Sequence, residues 1–346
     1  MTEDAKFSCA DFRVRLFLSI DLSGSTAFKN SRDGEARDRA SPKWVTIFET
    51  FYRDFPAKFQ SNYALLKTVQ TGYDACPALW KAVGDELIFC GRVNNRKSVI
   101  AALMAFIKTL LDYRKSFLEE GLPLNLKGAG WLASFPEPNR AVTLRSLGSG
   151  ENYLTASEAL EAAADAQPFE YDFLGKAIDT GFRVAGFARP ERFVLCVQLA
   201  KLLASSGRGS GFDYEIRFDE PVALKGVNGG EAYPVLYIDT LTHLMTESIR
   251  VQERRLLRRH DAPTRDELNG YLEAYCDVVG TEELVLPLSA SDPPSEPPRS
   301  YSTHREKISE HLLAEKGREI GDLMANEPDD AGGGDFLEGE GLEPLV

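Results

Sequence analysis

Residues 16–30, LFLSIDLSGSTAFKN, combine an apolar run with one acid and a turn of small residues. The apolar run predicts a buried β-strand that ends near Asp21. An unpaired carboxylate inside a strand carries a large desolvation cost, whereas at a strand end it can hold a metal ion against a phosphate group. Asp21 could equally cap the turn that follows it. This stretch alone leaves both interpretations open.

The composition is that of a globular protein of 346 residues, large enough for one main domain with appendages. Hydrophobic residues make up 43% and charged residues 27%. The formal net charge is −13, but residues 327–346 hold seven acids and no Lys or Arg, which leaves −6 for the rest. Because no basic surface is expected, general nucleic-acid binding is disfavoured.

The five cysteines show no metal-ligand spacing, and Cys90 and Cys196 lie in apolar runs where a thiol packs as a small hydrophobic group. This usage indicates a reducing cytosol. The N-terminus has acids where a signal peptide would have Lys or Arg. The longest apolar run, 99–107, is too short to span a bilayer. We therefore expect a cytoplasmic protein without a membrane span.

Hydrophobic periodicity predicts a mixture of strands and helices. Strands are expected at 12–22, 122–135, 192–200, 214–218 and 233–239. Helices are expected at 41–55, 97–117 and 175–188. Residues 80–91 predict a tight hairpin with Gly84 and Asp85 at its turn. This order favours an α+β or α/β layer built on one sheet.

The character of the sequence changes after Asp239. We divide the chain into a main domain (1–240), a C-terminal helical extension (241–288), and a Pro/Ser linker with a short helix and an acidic tail (289–346). The tail is expected to be disordered. A helix over 240–262 would carry four arginines on a solvated face, and another would start at a capping box of Thr264 and Glu267.

Two acids are expected to converge at one end of the sheet. Asp21 ends a strand and Asp85 lies at a hairpin tip, so their carboxylates meet if the two strands are neighbours. Such a pair implies a divalent ion, and two ions could clamp the attacking and leaving oxygens of a phosphoryl transfer. The small residues after Asp21 could hold a polyphosphate through their backbone N–H groups. These residues are Ser23, Gly24, Ser25 and Thr26.

Each motif taken singly also fits other families. IDLSGST could be the phosphate loop of a sugar-kinase-like or actin-like ATPase, but that fold needs a duplicated domain and the chain shows no repeat. VGDELIF is similar to the hairpin of diguanylate cyclases, with Val83 replacing the first glycine. The joint order and spacing of the motifs separates these alternatives.

In that joint order the chain resembles the class III nucleotidyl cyclases over roughly residues 12–240. The matching motifs are F-x-D-x-x-G-S-T, then Lys81-x-x-Gly84-Asp85, then DFLGKAIDTGFR. SIDLSGSTAFK, WKAVGDELIF and GFRVAGFA are most similar to the pyrimidine cyclases of bacterial Pycsar anti-phage systems. The resemblance implies a ferredoxin-like α+β catalytic domain, with a mainly antiparallel sheet and helices on one face. It also implies a head-to-tail homodimer with shared active sites.

The resemblance implies metal and base contacts at five positions. Asp21 and Asp85 would bind two Mg²⁺ or Mn²⁺ ions, with the carbonyl of Leu22 as a further ligand. Lys81 and Asp172 would contact the base, and by themselves they resemble the adenine-reading pair of adenylate cyclases. A hairpin surface ion pair would be the purely structural role of Lys81.

It also implies contacts with the phosphates and the ribose. Arg183, supplied by the partner protomer, would stabilise charge on the α-phosphate, and Lys225 would reach the triphosphate. Asp179 departs from the family, which has Asn at this position. An ionised carboxylate cannot donate a hydrogen bond. Asp179 could accept one from a ribose hydroxyl or brace Arg183.

The resulting prediction is a uridylate cyclase that converts UTP into 3′,5′-cyclic UMP and pyrophosphate, a messenger that would activate a separate effector in anti-phage defence. Phe173 and the aromatic helix over 44–55 could narrow the pocket to a single-ring base. A cytidylate or adenylate cyclase is the first alternative. A nucleotide-binding pseudo-cyclase that signals through residues 240–325 is the second, and the presence of both acids, Lys81 and Arg183 argues against it.

Overall fold

The computed structural model describes residues 8–38, 41–69, 72–143, 157–206, 211–240, 262–281 and 284–325, with isolated positions between 241 and 261. Its strands are β1 (Arg13–Ser23), β2 (Arg37–Asp38), β3 (Ser41–Pro42), β4 (Ala78–Val83), β5 (Glu86–Val93), β6 (Asn125–Phe135), β7 (Arg140–Thr143), β8 (Tyr171–Leu174), β9 (Arg192–Leu195), β10 (Ile216–Ala223) and β11 (Ala232–Asp239). Its helices are α1 (Ser25–Lys29), α2 (Arg32–Glu35), α3 (Lys43–Val69), α4 (Arg96–Glu119), α5 (Glu158–Ala166), α6 (Lys176–Ala185), α7 (Val197–Ser205), α8 (Arg265–Val279) and α9 (Arg299–Ala325).

Seven strands form one sheet in the order β10-β11-β9-β6-β1-β5-β4. Every neighbouring pair is antiparallel except β6 and β9, which are parallel. The strands β2-β3 and β7-β8 form two small separate sheets. The predicted α+β class with a mainly antiparallel sheet is confirmed.

Alternation along β1 gives the large sheet two chemically different faces. Leu18 pairs with Phe89 of β5, and Phe89 packs on Phe55 and Phe59 of α3 and on Phe106 of α4. We call this side the Leu18 face. It is an apolar core beneath the two long helices, and α7 lies on the same side.

The opposite side, which we call the Phe17 face, carries the side chains of Arg13, Arg15, Phe17 and Asp21. The expectation that helices cover one face only is wrong, because α5 and α6 pack on this side. Both arginines are buried, so they require the acids of α5 as partners. α6 lies against Trp131, where a Cβ on Gly181 would stand 2.5 Å from the indole.

Most predicted elements are found, with differences at their ends. The hairpin turn at Gly84 and Asp85 is confirmed. The predicted strand over 192–200 is wrong in its second half: β9 ends at Leu195, and α7 begins at Val197 with the Cys196 thiol accepting from the Leu199 N–H. The helix predicted at 41–55 continues through Pro56 to Val69.

The described residues after Asp239 pack against earlier parts of the chain. The capping box at the start of α8 is confirmed. The carbonyls of Pro287 and Leu288 accept from the first N–H groups of α4, and the Tyr301 hydroxyl of α9 donates to the Ala10 carbonyl. Most of the arginine-bearing segment 240–262 and the whole tail 327–346 lie outside the described residues. In the described part of the chain, each helix is too short or too polar to span a lipid bilayer.

Candidate functional site

The two predicted metal-binding acids lie together at one end of the sheet. Asp21 is near the end of β1, and Asp85 occupies the β4–β5 turn beside it. The Leu22 N–H donates to the Asp85 carbonyl at 3.3 Å, which fixes the hairpin against β1. The Ser25 hydroxyl donates to the Asp85 carboxylate. Asp21 and Asp85 therefore lie at the same end of the sheet, on neighbouring elements.

This end of the sheet is crowded with negative charge. Burial raises the pKa of Asp21; Lys127, whose Nζ lies 3.4 Å from the Asp21 carboxylate, opposes the rise, and Asp85 adds to it. Burial also raises the pKa of Glu86, which pairs with Asp21 across the strands. Among the described residues at this end, Asp21, Asp85 and Glu86 are the acids and Lys127 is the cation beside them, so a bound divalent cation would relieve the repulsion between the carboxylates.

The loop after β1 has a conformation that depends on glycine. Gly24 has φ 88°, and a Cβ there would approach the Pro123 carbonyl to 3.0 Å. Ser23 is half-buried, Ser25 is buried, and Thr26 is exposed at the first turn of α1. Because the Ser25 hydroxyl is hydrogen-bonded to Asp85, the exposed surface of the loop is formed by Gly24 and Thr26.

Tyr52 of α3 supports the hairpin from the other side. Its hydroxyl donates to the Gly84 carbonyl, one residue before Asp85. Burial, with Asp85 as a smaller cause, raises the pKa of Tyr52, so the hydroxyl keeps its proton at neutral pH. Tyr52 therefore ties the turn that carries Asp85 to the longest helix of the Leu18 face.

The predicted base-contacting residues form an ion pair on the Phe17 face. The Lys81 ammonium lies 2.5 Å from the Asp172 carboxylate and 4.5 Å from the centroid of the Trp80 ring. A register shift between Leu79 and Lys81 interrupts the pairing of β4 with β5. Such a bulge redirects side chains. Trp80 and Lys81 both contact β8, where the Trp80 indole donates to the Tyr171 carbonyl.

The proposal that Phe173 and the helix over 44–55 line one pocket is not supported. Phe173 is 1% exposed and packs on Phe17 and Trp80, within the Phe17 face. Residues of α3 such as Phe55 pack on the Leu18 face. The sheet separates the two groups, so they cannot jointly contact a base.

The predicted phosphate- and ribose-contacting residues lie together elsewhere. Asp179 and Arg183 are one helical turn apart on the same side of α6, and both are exposed. A Cβ on Gly226 would stand 3.8 Å from the Arg183 guanidinium, so Arg183 lies beside the loop that contains Lys225. Among the described residues, no ion pair joins Asp179 to Arg183.

The strand register separates these cations from the carboxylates. The β4–β5 turn and the end of β1 share one end of the sheet, whereas the loop between β10 and β11 is at the opposite end. Along β1, Asp21 is level with the β4–β5 turn and Val14 is level with the β10–β11 loop, and these two positions are roughly 20 Å apart. The strands β6 and β9 also lie between β1 and β11. Within one protomer, Arg183 and Lys225 therefore do not meet Asp21 and Asp85.

The donor set at the carboxylate end fits Mg²⁺ or Mn²⁺. The described residues contain no group of three or more His, Cys, Asp or Glu side chains arranged to hold a metal ion. Asp21 and Asp85 supply two hard oxygen ligands, and the Leu22 carbonyl belongs to the same turn region. Magnesium is commonly held by one or two carboxylates, with water and substrate phosphates completing the shell.

Sequence reasoning missed three residues of this end: Lys127, Glu86 and Tyr52. Glu86 follows Asp85 directly, which was a usable signal. Lys127 is more than 100 residues from Asp21 in sequence and meets it only through the β1–β6 register. Nothing local marks Tyr52 as a partner of the hairpin.

Comparison with known proteins gives structural likeness only. No protein-family model matches the chain, and no curated protein matches it in sequence. The adenylyl cyclase CyaB from P. aeruginosa is 12% identical, with a TM-score of 0.44, over 66% of this chain and 94% of that one. The guanylate cyclase domain of RhGC from Catenaria anguillulae, solved with GTP, is 11% identical, with a TM-score of 0.40, over 66% and 98%. Both likenesses are weak, with TM-scores below 0.5.

Proposed function

We propose that this protein is a nucleotidyl cyclase that forms 3′,5′-cyclic UMP and pyrophosphate from UTP in sites shared between two copies. One observation supports it most directly. Two carboxylates converge at one end of the sheet, while an arginine and a lysine suited to phosphate lie at the other. A head-to-tail dimer would bring the carboxylate end of one copy to the cation end of the next.

Some residues of this chain would bind the triphosphate, and others position the residues that bind it. Asp21 and Asp85 would hold the metal ions that bind the triphosphate at the carboxylate end, and the Gly24–Thr26 turn would contact its phosphates. Ser25 and Tyr52 keep Asp85 in place. From the partner copy, Arg183 and Lys225 neutralise the charge that develops on the phosphates. Donors of this kind typically contribute about 10²–10³ in rate.

The reaction is an in-line displacement at the α-phosphorus. The ribose 3′-hydroxyl releases its proton to solvent and its oxygen forms the new bond to phosphorus, while the bond from phosphorus to the bridging oxygen breaks and pyrophosphate leaves with that electron pair. When bound, Mg²⁺ or Mn²⁺ supplies Lewis-acid activation of the 3′-hydroxyl and neutralises the leaving group. Asp179, exposed on the same side of α6 as Arg183, accepts a hydrogen bond from the ribose.

UTP is proposed on the basis of the sequence resemblance to pyrimidine cyclases. The Lys81–Asp172 pair presents a donor beside an acceptor, which suits the O4 and N3–H edge of uracil. The same pair suits N1 and the amino group of adenine, so ATP is the second candidate. In the cytoplasm, cyclic UMP would activate a separate effector protein during phage infection.

The direct test is turnover of all four ribonucleoside triphosphates with Mn²⁺. Wild-type protein should make cyclic UMP, and Asp21→Ala and Arg183→Ala should each lose at least about 100-fold. Cyclic AMP as the main product would support the proposed cyclase activity but rule out a pyrimidine nucleotide as the substrate. Absence of any cyclic product would contradict the proposal.

Mixing the two inactive variants tests whether the sites are shared. A mixed dimer has one site with both changes and one site with neither. The mixture should therefore recover up to about one quarter of the wild-type rate. If each site were contained within one protomer, the mixture would stay inactive.

A further inference from the structure

The loop between β10 and β11, which we call the Lys225 loop (residues 224–231), is rich in left-handed backbone. Gly226, Asn228, Gly229 and Gly230 have φ values of 76°, 49°, 65° and 102°. Three of the four are glycines, whose backbone readily adopts other conformations. A loop of this composition needs outside contacts to hold one conformation.

Two kinds of contact hold the loop. The side chains of Leu224 and Val227 are buried in the core. The backbone hydrogen bonds within the loop are local, from Val227 to Leu224, from Gly230 to Val227 and from Glu231 to Asn228. In the described part of the chain, its one hydrogen bond to another element runs from the Asn228 side-chain amide to the Tyr275 hydroxyl, at 2.6 Å.

Tyr275 belongs to α8, in the C-terminal extension, and its ring is itself well supported. It is half-buried, with its ring centroid 6.3 Å from that of Tyr233 and 6.2 Å from that of Tyr271. The same helix has a buried inner side, formed by Leu268, Leu272 and Cys276. These contacts hold the Tyr275 ring in place, so its hydrogen bond with Asn228 restrains the glycine-rich loop.

The position of this loop matters to both cations of the proposed site. Lys225 is part of the loop, and Gly226 lies beside the Arg183 guanidinium. We propose that Tyr275 is a positioning residue: through Asn228 it holds the Lys225 loop, so that the C-terminal extension becomes part of the catalytic unit. This inference rests on the proposed function for its catalytic consequence.

Tyr275→Phe in the full chain removes the hydroxyl and keeps the ring. Tyr271→Phe is the matched control, because Tyr271 is on the same helix and, within the described residues, makes no hydrogen bond through its hydroxyl. With UTP and Mn²⁺, Tyr275→Phe should lower kcat about fivefold to tenfold with little change in KM. Tyr271→Phe should leave kcat unchanged.

A double-mutant cycle with Lys225→Ala distinguishes an effect on the position of the Lys225 loop from a general loss of activity. If Tyr275 acts through the loop, Tyr275→Phe should have a clearly smaller effect on kcat in the Lys225→Ala background, where only the contribution of Arg183 can still be lost. An equal loss in both backgrounds would overturn the inference. So would a Tyr275→Phe variant with the kcat of Tyr271→Phe, since Leu224 and Val227 would then hold the loop unaided.

Amide hydrogen exchange gives a readout that needs no turnover. Without nucleotide, Tyr275→Phe should speed exchange over residues 224–231, whereas Tyr271→Phe should not. Unchanged exchange in both variants would overturn the role of Tyr275. A wild-type chain that makes no cyclic nucleotide would contradict the proposed function, and the exchange comparison would still decide whether Tyr275 holds the loop.

Discussion

Arg13 and Arg15 lie side by side under α5, and their guanidinium groups are matched by the carboxylates of Glu158, Glu161 and Asp165. Arg15 is fully buried and also stacks over the ring of Phe173, 4.9 Å from its centroid. A buried charge is tolerated only while its partners are in place. These contacts attach α5 and the strand of Asp172 to the Phe17 face.

Glu161→Ala should therefore be strongly destabilising. It leaves the Arg15 guanidinium buried with one carboxylate fewer, so the free energy of unfolding should fall by about 3–5 kcal/mol. Asp112→Ala is the control, because the Lys108–Asp112 pair is exposed on α4 and should contribute less than about 1 kcal/mol. Urea denaturation measures both. Equal effects would show that burial does not decide the strength of these pairs.

Asp85→Asn should weaken metal binding without unfolding the chain. The amide fills the same space at the turn but removes one of the two charged ligands. Mn²⁺ affinity, measured by electron paramagnetic resonance without nucleotide, should fall about tenfold or more. Asp172→Asn alters a carboxylate paired with Lys81 and should retain the wild-type affinity. If the two variants bind Mn²⁺ equally well, Asp85 is not a ligand.

At the scale of elements, the β4–β5 hairpin depends on one backbone conformation. Gly84 has φ 63°, and a Cβ there would meet no atom within 4 Å. Gly270 in α8 has the same open surroundings, but its backbone is helical. An added Cβ would clash with nothing at either position, so a difference between the two alanine variants reports the backbone conformation.

Gly84→Ala should destabilise the protein by about 1 kcal/mol, because alanine is strained at positive φ. Gly270→Ala should stabilise it by about 0.5–1 kcal/mol, since alanine loses less chain entropy in a helix. Thermal unfolding of both variants measures the difference. A stabilising Gly84→Ala would mean that the turn relaxes to another type, and Asp85 would then shift.

The hairpin and β9 show why some elements could be predicted from the sequence and others could not. Gly84 and Asp85 specify their turn locally, so it was predicted correctly. RFVLCVQLA is almost uniformly apolar, and an apolar run does not separate a buried strand from a buried helix. The site divides in the same way: Asp21 and Asp85 lie in recognisable motifs, whereas Lys127 joins them only through strand register.

At the scale of the whole molecule, the Phe17 face and the elements packed on it expose large apolar side chains. Val83, Phe169, Leu174 and Phe182 are 56%, 64%, 51% and 38% exposed. Clusters of exposed apolar side chains often mark an interaction surface. The carboxylates and the cations of the proposed site flank this region at opposite ends of the sheet. Both features are what a head-to-tail dimer through this face requires.

Phe169→Glu should dissociate that dimer, because the new carboxylate would be buried without a partner in the interface. Phe169 precedes β8 and is not among the residues proposed to touch the nucleotide. Leu118→Glu is the control, since Leu118 is 59% exposed on α4, the helix of the opposite face. Analytical ultracentrifugation should show monomers for Phe169→Glu and dimers for Leu118→Glu, with cyclase activity lost only in the former. A dimeric Phe169→Glu variant would place the interface elsewhere, and a fully active monomer would rule out sites shared between two copies.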